Sequence, residues 1–219
     1  MKNFLFLLVT FAGLTFSCTS CTSDDENATD TTYPVAQVRV TGNLDLSLEN
    51  EKLFDTEASV SFPRFPANIG EFQQVRDVLK QTPQGAATLQ LMAMELYRRN
   101  AKAGEKALAL CNLSTNIASM TSRCHELFHQ TADQQYLRPY QVAAFLQGAT
   151  PENGYNPSEP YTVRLKVSAN GATYSNDYQA KVLHWVILTS ASDSGSRLGP
   201  DVIFTQKPGE PNDGWIVFN

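Results

Sequence analysis

Apolar and polar residues change rhythm several times along this chain, and each change marks a different kind of segment. Residues 4–16 form an uninterrupted uncharged, mostly apolar run after Lys2. The run is too short to span a bilayer and has the length of a signal-peptide core, so residues 1–17 read as a signal peptide. Residues 18–32 are polar and acidic, with too few apolar side chains to offset their ordering entropy, and read as a disordered tether. Alternation then begins: 35–48 carries two strand-like runs around Gly42-Asn43, the pattern of a β-hairpin. Residues 49–68, with Phe62-Pro63 and Phe65-Pro66, read as an extended connector.

Helical spacing governs residues 69–148. Phe72, Val75, Val78 and Leu79 share one face, and Thr82-Pro83 is a hydroxyl cap followed by proline at the first helical position. Ala86, Leu89, Met92 or Ala93, Leu96 and Tyr97 then form one stripe that ends in Arg98-Arg99, at the negative end of the helix dipole. Further helices are predicted over 105–111 and 116–130, the latter burying Ile117, Met120, Cys124, Leu127 and Phe128, and a short one over 139–146 that stops at Gly148. After a proline-rich loop, 149–160, period-two alternation takes over through 161–219. Tyr161, Val163, Leu165 and Val167 alternate with polar residues; 178–189 is apolar on both faces; 201–207 and 215–218 flank a turn-rich loop. The expectation is a single α+β domain, 33–219: helices packed against an antiparallel β-meander of three or four strands. A cystatin-like or nuclear-transport-factor-like cone is a fold-level analogy to the same order of elements.

Composition removes one class of function. A net charge of −5 with scattered basic residues leaves no electrostatic footprint for nucleic acid, and 42% hydrophobic residues suit one ordinary core.

The junction Ser17-Cys18 resembles the lipobox of bacterial lipoproteins, in which cleavage precedes a lipid-bearing cysteine. Thr15 stands where an aliphatic residue is usual, Leu14 lies one place further back, and Cys21 is the alternative acceptor. Ser23-Asp24-Asp25-Glu26 resembles the acidic surface-export signal of Bacteroidota lipoproteins, with an ordinary solvated linker as the competing reading. The resemblance implies an outer-membrane lipoprotein of the cell envelope, periplasmic or surface-exposed, whose membrane partner is reached through the N-terminal lipid.

With Cys18 or Cys21 lipidated, Cys111 and Cys124 are the cysteines of the folded part. An oxidising compartment permits a disulfide between them. Helical spacing opposes it, because Cys124 lies about two helical turns beyond the turn that follows Cys111, at about 1.5 Å per residue. Both readings stand at this level.

Two motifs resemble a family of uncharacterised bacterial exported proteins. Gly148-Ala149-Thr150-Pro151-Glu152-Asn153-Gly154-Tyr155-Asn156-Pro157-Ser158-Glu159-Pro160-Tyr161 follows its GATPxNxYxPxxPY motif, and Thr82 to Ala87 its Thr-Pro-x-Gly-Ala-Ala helix opener. The resemblance runs from about Thr82 to the end and implies no activity. Residues 190–197 depart from the Gly-Ala-Asp-Ser-Pro-Arg segment of that family, which removes support for a ligand role there. Prolines forbid helix through the first motif, and Asn153 and Asn156 can bond their own backbone, so an ordered loop is expected.

The sharpest chemical pattern is His125-Glu126-Leu127-Phe128-His129, a formal HExxH. On a helix it places two imidazoles on one face to hold zinc, with Glu126 as general base. A third ligand would come from Asp133, Glu152 or His184. No HxxGxxH continuation follows, Arg123 stands at a flanking position that zinc-peptidase helices usually leave uncharged, and Thr131 stands where an apolar residue is usual. The competing reading is two histidines on the wet face of an amphipathic helix. His184, between strand residues, reads as a histidine bonded at the sheet surface. Tyr97, Tyr136, Tyr140, Tyr155 and Tyr161 could line a glycan platform, though packing explains their spacing. The leading expectation is therefore a lipid-anchored extracytoplasmic binding or accessory module without cofactor, for a protein, glycan or small-molecule ligand. An aromatic or apolar concavity beside the proline-rich loop would be its mark. The alternative is a zinc-dependent hydrolase.

Overall fold

The computed structural model describes residues 31–42, 57–129, 137–188, 200–205, 210 and 214–218. Among these the elements run β1 (Arg39–Thr41), β2 (Glu57–Phe62), α1 (Ile69–Leu79), α2 (Pro83–Arg99), α3 (Ala101–Cys111), α4 (Ile117–Phe128), β3 (Tyr161–Ser175), β4 (Ala180–Leu188), β5 (Asp201–Thr205) and β6 (Gly214–Val217). All six strands join one antiparallel sheet whose spatial order is the chain order, a meander curled into a half-barrel. The α+β expectation holds: residues 161–217 supply four strands, within the three or four expected of the meander, and β1 and β2 extend the same sheet.

β1 falls in the first strand-like run expected over 35–48, whereas β2 comes from the segment read as a connector. In Glu57–Phe62 the residues Ala58, Val60 and Phe62 are buried while their neighbours are not, the two-residue period of a half-covered strand. Pro63 lacks the N–H needed to continue it. β1 pairs with β2, Val40 opposite Val60; the second run of the expected hairpin, after Gly42, lies outside the described residues. β2 pairs in turn with β3, Phe62 opposite Tyr161. All four helices are thus inserted between neighbouring strands of one meander.

The long helix α2 is the centre of the molecule. Thr82 caps it, its Oγ1 accepting from the Gly85 N–H at 3.2 Å, with Pro83 in the first turn. Gly85 is required there by close approach: a Cβ would stand 2.1 Å from the Leu79 carbonyl oxygen. The sequence shows one apolar stripe, yet every residue from Pro83 to Tyr97 is buried. The cause is enclosure: α2 packs on α1, α3 and α4 on one side and on β2, β4, β5 and β6 on the other. A helix buried all round must satisfy its polar residues internally. Thr88 Oγ1 donates to the Gln84 carbonyl and Gln84 Nε2 to the Gly42 carbonyl, at 2.9 and 2.7 Å.

Two further differences have local causes. α3 begins at Ala101, ahead of the expected 105, because Asn100 caps it by accepting from the Ala103 N–H at 3.0 Å. Only one 3₁₀ turn, Ala143–Phe145, forms where a helix over 139–146 was expected. Leu146 bridges Val163 of β3 instead, and that sheet contact pulls the chain straight. β4 is covered on both faces at Val182, which joins Ile203, Ile216 and Leu113 in a small second cluster. The chain after α3 laps onto this side, its Leu113 N–H donating to the Val217 carbonyl at 3.0 Å. No helix among the described residues is long and apolar enough to cross a membrane.

Candidate functional site

The HExxH segment does not lie within one helix. α4 ends at Phe128, and His129 follows in extended conformation, φ −113° and ψ 148°, its N–H donating to the His125 carbonyl. The two imidazoles stack with centroids 5.4 Å apart and an interplanar angle of 23°. His129 also meets the Tyr97 ring edge-on at 5.5 Å, and its buried Nε2 has no partner among the described residues. Leu127 and Phe128 pack toward the core as expected, while His125 and Glu126 are exposed. Among the described residues no three His, Cys, Asp or Glu side chains gather as metal ligands. Glu152 sits exposed in the proline-rich loop, where a hydrogen bond from Thr150 holds its carboxyl below the usual range. Asp133 lies outside the described residues.

His184 is engaged at both ring nitrogens. Nδ1 meets Asp201 Oδ1 at 2.6 Å, directly across the β4–β5 pairing, and Nε2 meets Thr173 Oγ1 at 3.1 Å. It ties three strands together at the sheet surface. Cys18 and Cys21 lie outside the described residues. Cys111 and Cys124 are unbridged, buried thiols. Burial pushes both up to about 12, and Asn112 Nδ2 donates to Cys111 Sγ at 3.3 Å. Both belong to the same hydrophobic core, with no bridge between them.

Chemistry-bearing side chains converge instead beside the proline-rich loop. Thr150 and Asn153 form a capping box around the 3₁₀ turn Pro151–Asn153. Asn153 Oδ1 accepts from the N–H groups of Thr150 and Asn156, and its Nδ2 donates to the carbonyls of Gly148 and Asn156, all between 2.7 and 3.0 Å. One amide side chain thereby closes the loop on itself, as the Asx chemistry of the motif predicts. Gly148 takes φ +83°, and a Cβ there would stand 2.3 Å from Ser158 Oγ. Tyr155 is held at φ 58°, left-handed backbone that costs an L-residue roughly 1–2 kcal/mol. Its N–H bonds the Thr150 carbonyl at 2.8 Å, and its ring stacks on Tyr140 at 4.3 Å and 10°.

These two tyrosines form one wall of a cleft of about 370 Å³. The lining also includes Tyr161, at the start of β3, and Phe65, with ring centroids 5.6 Å apart and both packed on buried Phe62. The end of α2 contributes Glu95 and Arg98. Arg98 Nε and Nη2 donate to the two Glu95 oxygens at 2.9 and 2.7 Å, a fork that keeps Arg98 charged.

The Phe65 side of the cleft is clamped from below. Arg64 donates twice to Glu71, at 2.5 and 2.6 Å, and the Ala67 N–H donates to the same carboxylate at 2.7 Å. The Arg64 hydrogen bonds hold the Glu71 carboxyl down at about 2, against its burial. Arg99 Nη2 donates to the Pro66 carbonyl at 2.5 Å, fastening this segment to the end of α2.

Of the five tyrosines singled out in the sequence, Tyr140, Tyr155 and Tyr161 meet at this cleft. Tyr97 is buried in the core, and Tyr136 lies outside the described residues. Glu95, Arg98 and Phe65 were not foreseen as site residues. Glu95 and Arg98 are three apart at a helix end, which signals an ion pair but not which loop folds over it.

No curated protein and no solved structure matches this chain. A family model does, over residues 64–217, a stretch that contains every residue named at the cleft and begins just after β2. The chain belongs to that family, described as "Domain of unknown function (DUF6935)".

Proposed function

We propose that this protein is a lipid-anchored extracytoplasmic binding module whose ligand site is the aromatic cleft at the proline-rich loop. The observation that carries the reading is the convergence of Tyr140, Tyr155, Tyr161 and Phe65 around the Glu95–Arg98 pair. Ligand sites are mostly apolar concavities of about 300–1,000 Å³ with a few placed polar groups, and this cleft has that make-up. A tyrosine held at unfavourable backbone by a dedicated hydrogen-bond knot supports it further, since strain concentrates where a side chain must be presented.

A fragment library screened by ligand-observed NMR against the full chain tests the site. Hits that vanish in Tyr155→Ala are expected; hits indifferent to that change would move the site elsewhere. The anchor is supported by residues 1–21 alone, with Cys18 or Cys21 as acceptor and the cell envelope as location. Mass spectrometry of the mature N-terminus is expected to find a lipid-modified cysteine there. The zinc-hydrolase alternative, with His125 and His129 as ligands and Glu126 as base, draws no third ligand from the described residues.

A further inference from the structure

We infer that the cleft takes a neutral carbohydrate, an uncharged sugar unit with one face on the aromatic wall and its hydroxyl edge on Glu95 and Arg98. The inference rests on the cleft being the ligand site.

Charge excludes several other ligands. Glu95 and Arg98 are the charged residues of the described lining, and two short hydrogen bonds join them; Arg99 Nε also lies 3.4 Å from the Glu95 carboxylate, but Arg99 is outside that lining and its Nη2 is bound to the Pro66 carbonyl. A cationic ligand would have to compete with Arg98 for Glu95. An anionic one would be brought against the Glu95 carboxylate that Arg98 holds beside it. A purely apolar ligand would strip water from the ion pair and return no hydrogen bond, which is unfavourable for buried charge.

A pyranose meets each demand. Its axial C–H bonds give it an apolar face that lies flat on an aromatic ring, and its equatorial hydroxyls both donate and accept. Arg98 retains N–H donors beyond the two on Glu95, and each carboxylate oxygen retains acceptor capacity, so adjacent hydroxyls can bond both partners without breaking the pair.

The shape of the aromatic lining points the same way. Tyr140 and Tyr155 stack at 4.3 Å, which leaves no slot between the rings for a proline ring or a methylated ammonium. Stacked nearly parallel, they line the cleft as one paired aromatic unit. Phe65 and Tyr161, tilted at 46° to each other, are also part of the lining. A rigid platform spares the ligand the cost of ordering loose side chains.

The test is an array bearing neutral, sialylated and sulfated oligosaccharides, with proline-rich peptides beside them, probed with the full chain in mild detergent. Binding to at least one neutral oligosaccharide is expected. It should fall at least tenfold in Tyr140→Ala and in Arg98→Ala and persist in Tyr140→Phe, with thermal melting confirming that each variant folds. Absence of neutral binding overturns the inference. Binding confined to acidic glycans or peptides, and lost in Tyr140→Ala, overturns it while leaving the cleft as the site. Neutral binding unchanged in both alanine variants overturns the inference and the site together.

Discussion

The end of α4 and the loop 148–161 are opposites in what they promise and what they assemble. His125 to His129 carries a pattern with a known chemistry, yet its helix stops one residue short, its glutamate is exposed, and its rings stack on each other. The proline-rich loop contains no catalytic pattern, yet Asn153 fixes its path, Tyr155 is set against Tyr140, and Phe65, Glu95 and Arg98 meet it from elsewhere. A motif supplies residue types at a spacing. A site requires groups from several elements to arrive at one place, and here the loop achieves that.

The strongest way to test this contrast is to loosen the support under the cleft. Glu71→Gln removes the charge that binds Arg64 and should destabilise the domain by on the order of 3 kcal/mol, read as a fall in the urea midpoint. The sign with pH follows from the lowered value. With the folded carboxyl at about 2 and the unfolded one near 4.5, the contribution is complete above about 4.5 and disappears as pH falls toward 2. Wild type should therefore lose stability across that window by more than the Glu71→Gln variant; parallel curves would refute the clamp.

Asn153→Ala comes next. Four loop hydrogen bonds vanish with one side chain, and about 2 kcal/mol of stability should go with them. Fragment binding at Tyr155 should weaken too, since the Asn153 knot fixes the turn from which Tyr155 projects; an unaltered affinity would show that the knot does not position the ring. Smaller still is the consequence of His125→Ala, an exposed change expected to shift stability by less than about 0.5 kcal/mol. Protein purified without chelator should carry less than about a tenth of a zinc per chain. Stoichiometric zinc that disappears in His125→Ala would reverse the contrast. Finally, Cys111 and Cys124 should resist iodoacetamide in the native state and react on unfolding, because thiols pushed to about 12 hold almost no thiolate.

Part of this organisation is legible in the amino-acid sequence. Thr82-Pro83-Gln84-Gly85 marks the start of α2 because capping is local chemistry, and the alternation of Val163, Leu165 and Val167 reads as a strand because its two faces see different solvents. The 57–62 strand is obscured by the prolines after it, although its own alternation is regular. Residues 139–146 have a helical composition, and only the long-range bridge of Leu146 to Val163 overrides it. At the cleft, Tyr140, Tyr155 and Tyr161 could be named, but not their convergence with Glu95, which depends on where the chain returns after α4.

That return has a consequence for where the domain can be cut. The family match begins at Arg64, whereas β3 is paired over Tyr161 to Lys166 with β2, which precedes it. A protein trimmed to the matched stretch would lose Val60 and Phe62 from the core and leave the Tyr161 to Lys166 backbone as a raw edge, carrying Val163 and Leu165. Unpaired apolar edges recruit other chains. Such a fragment should self-associate, and the ring of Tyr161 would lose the Phe62 packing that sets it in the cleft.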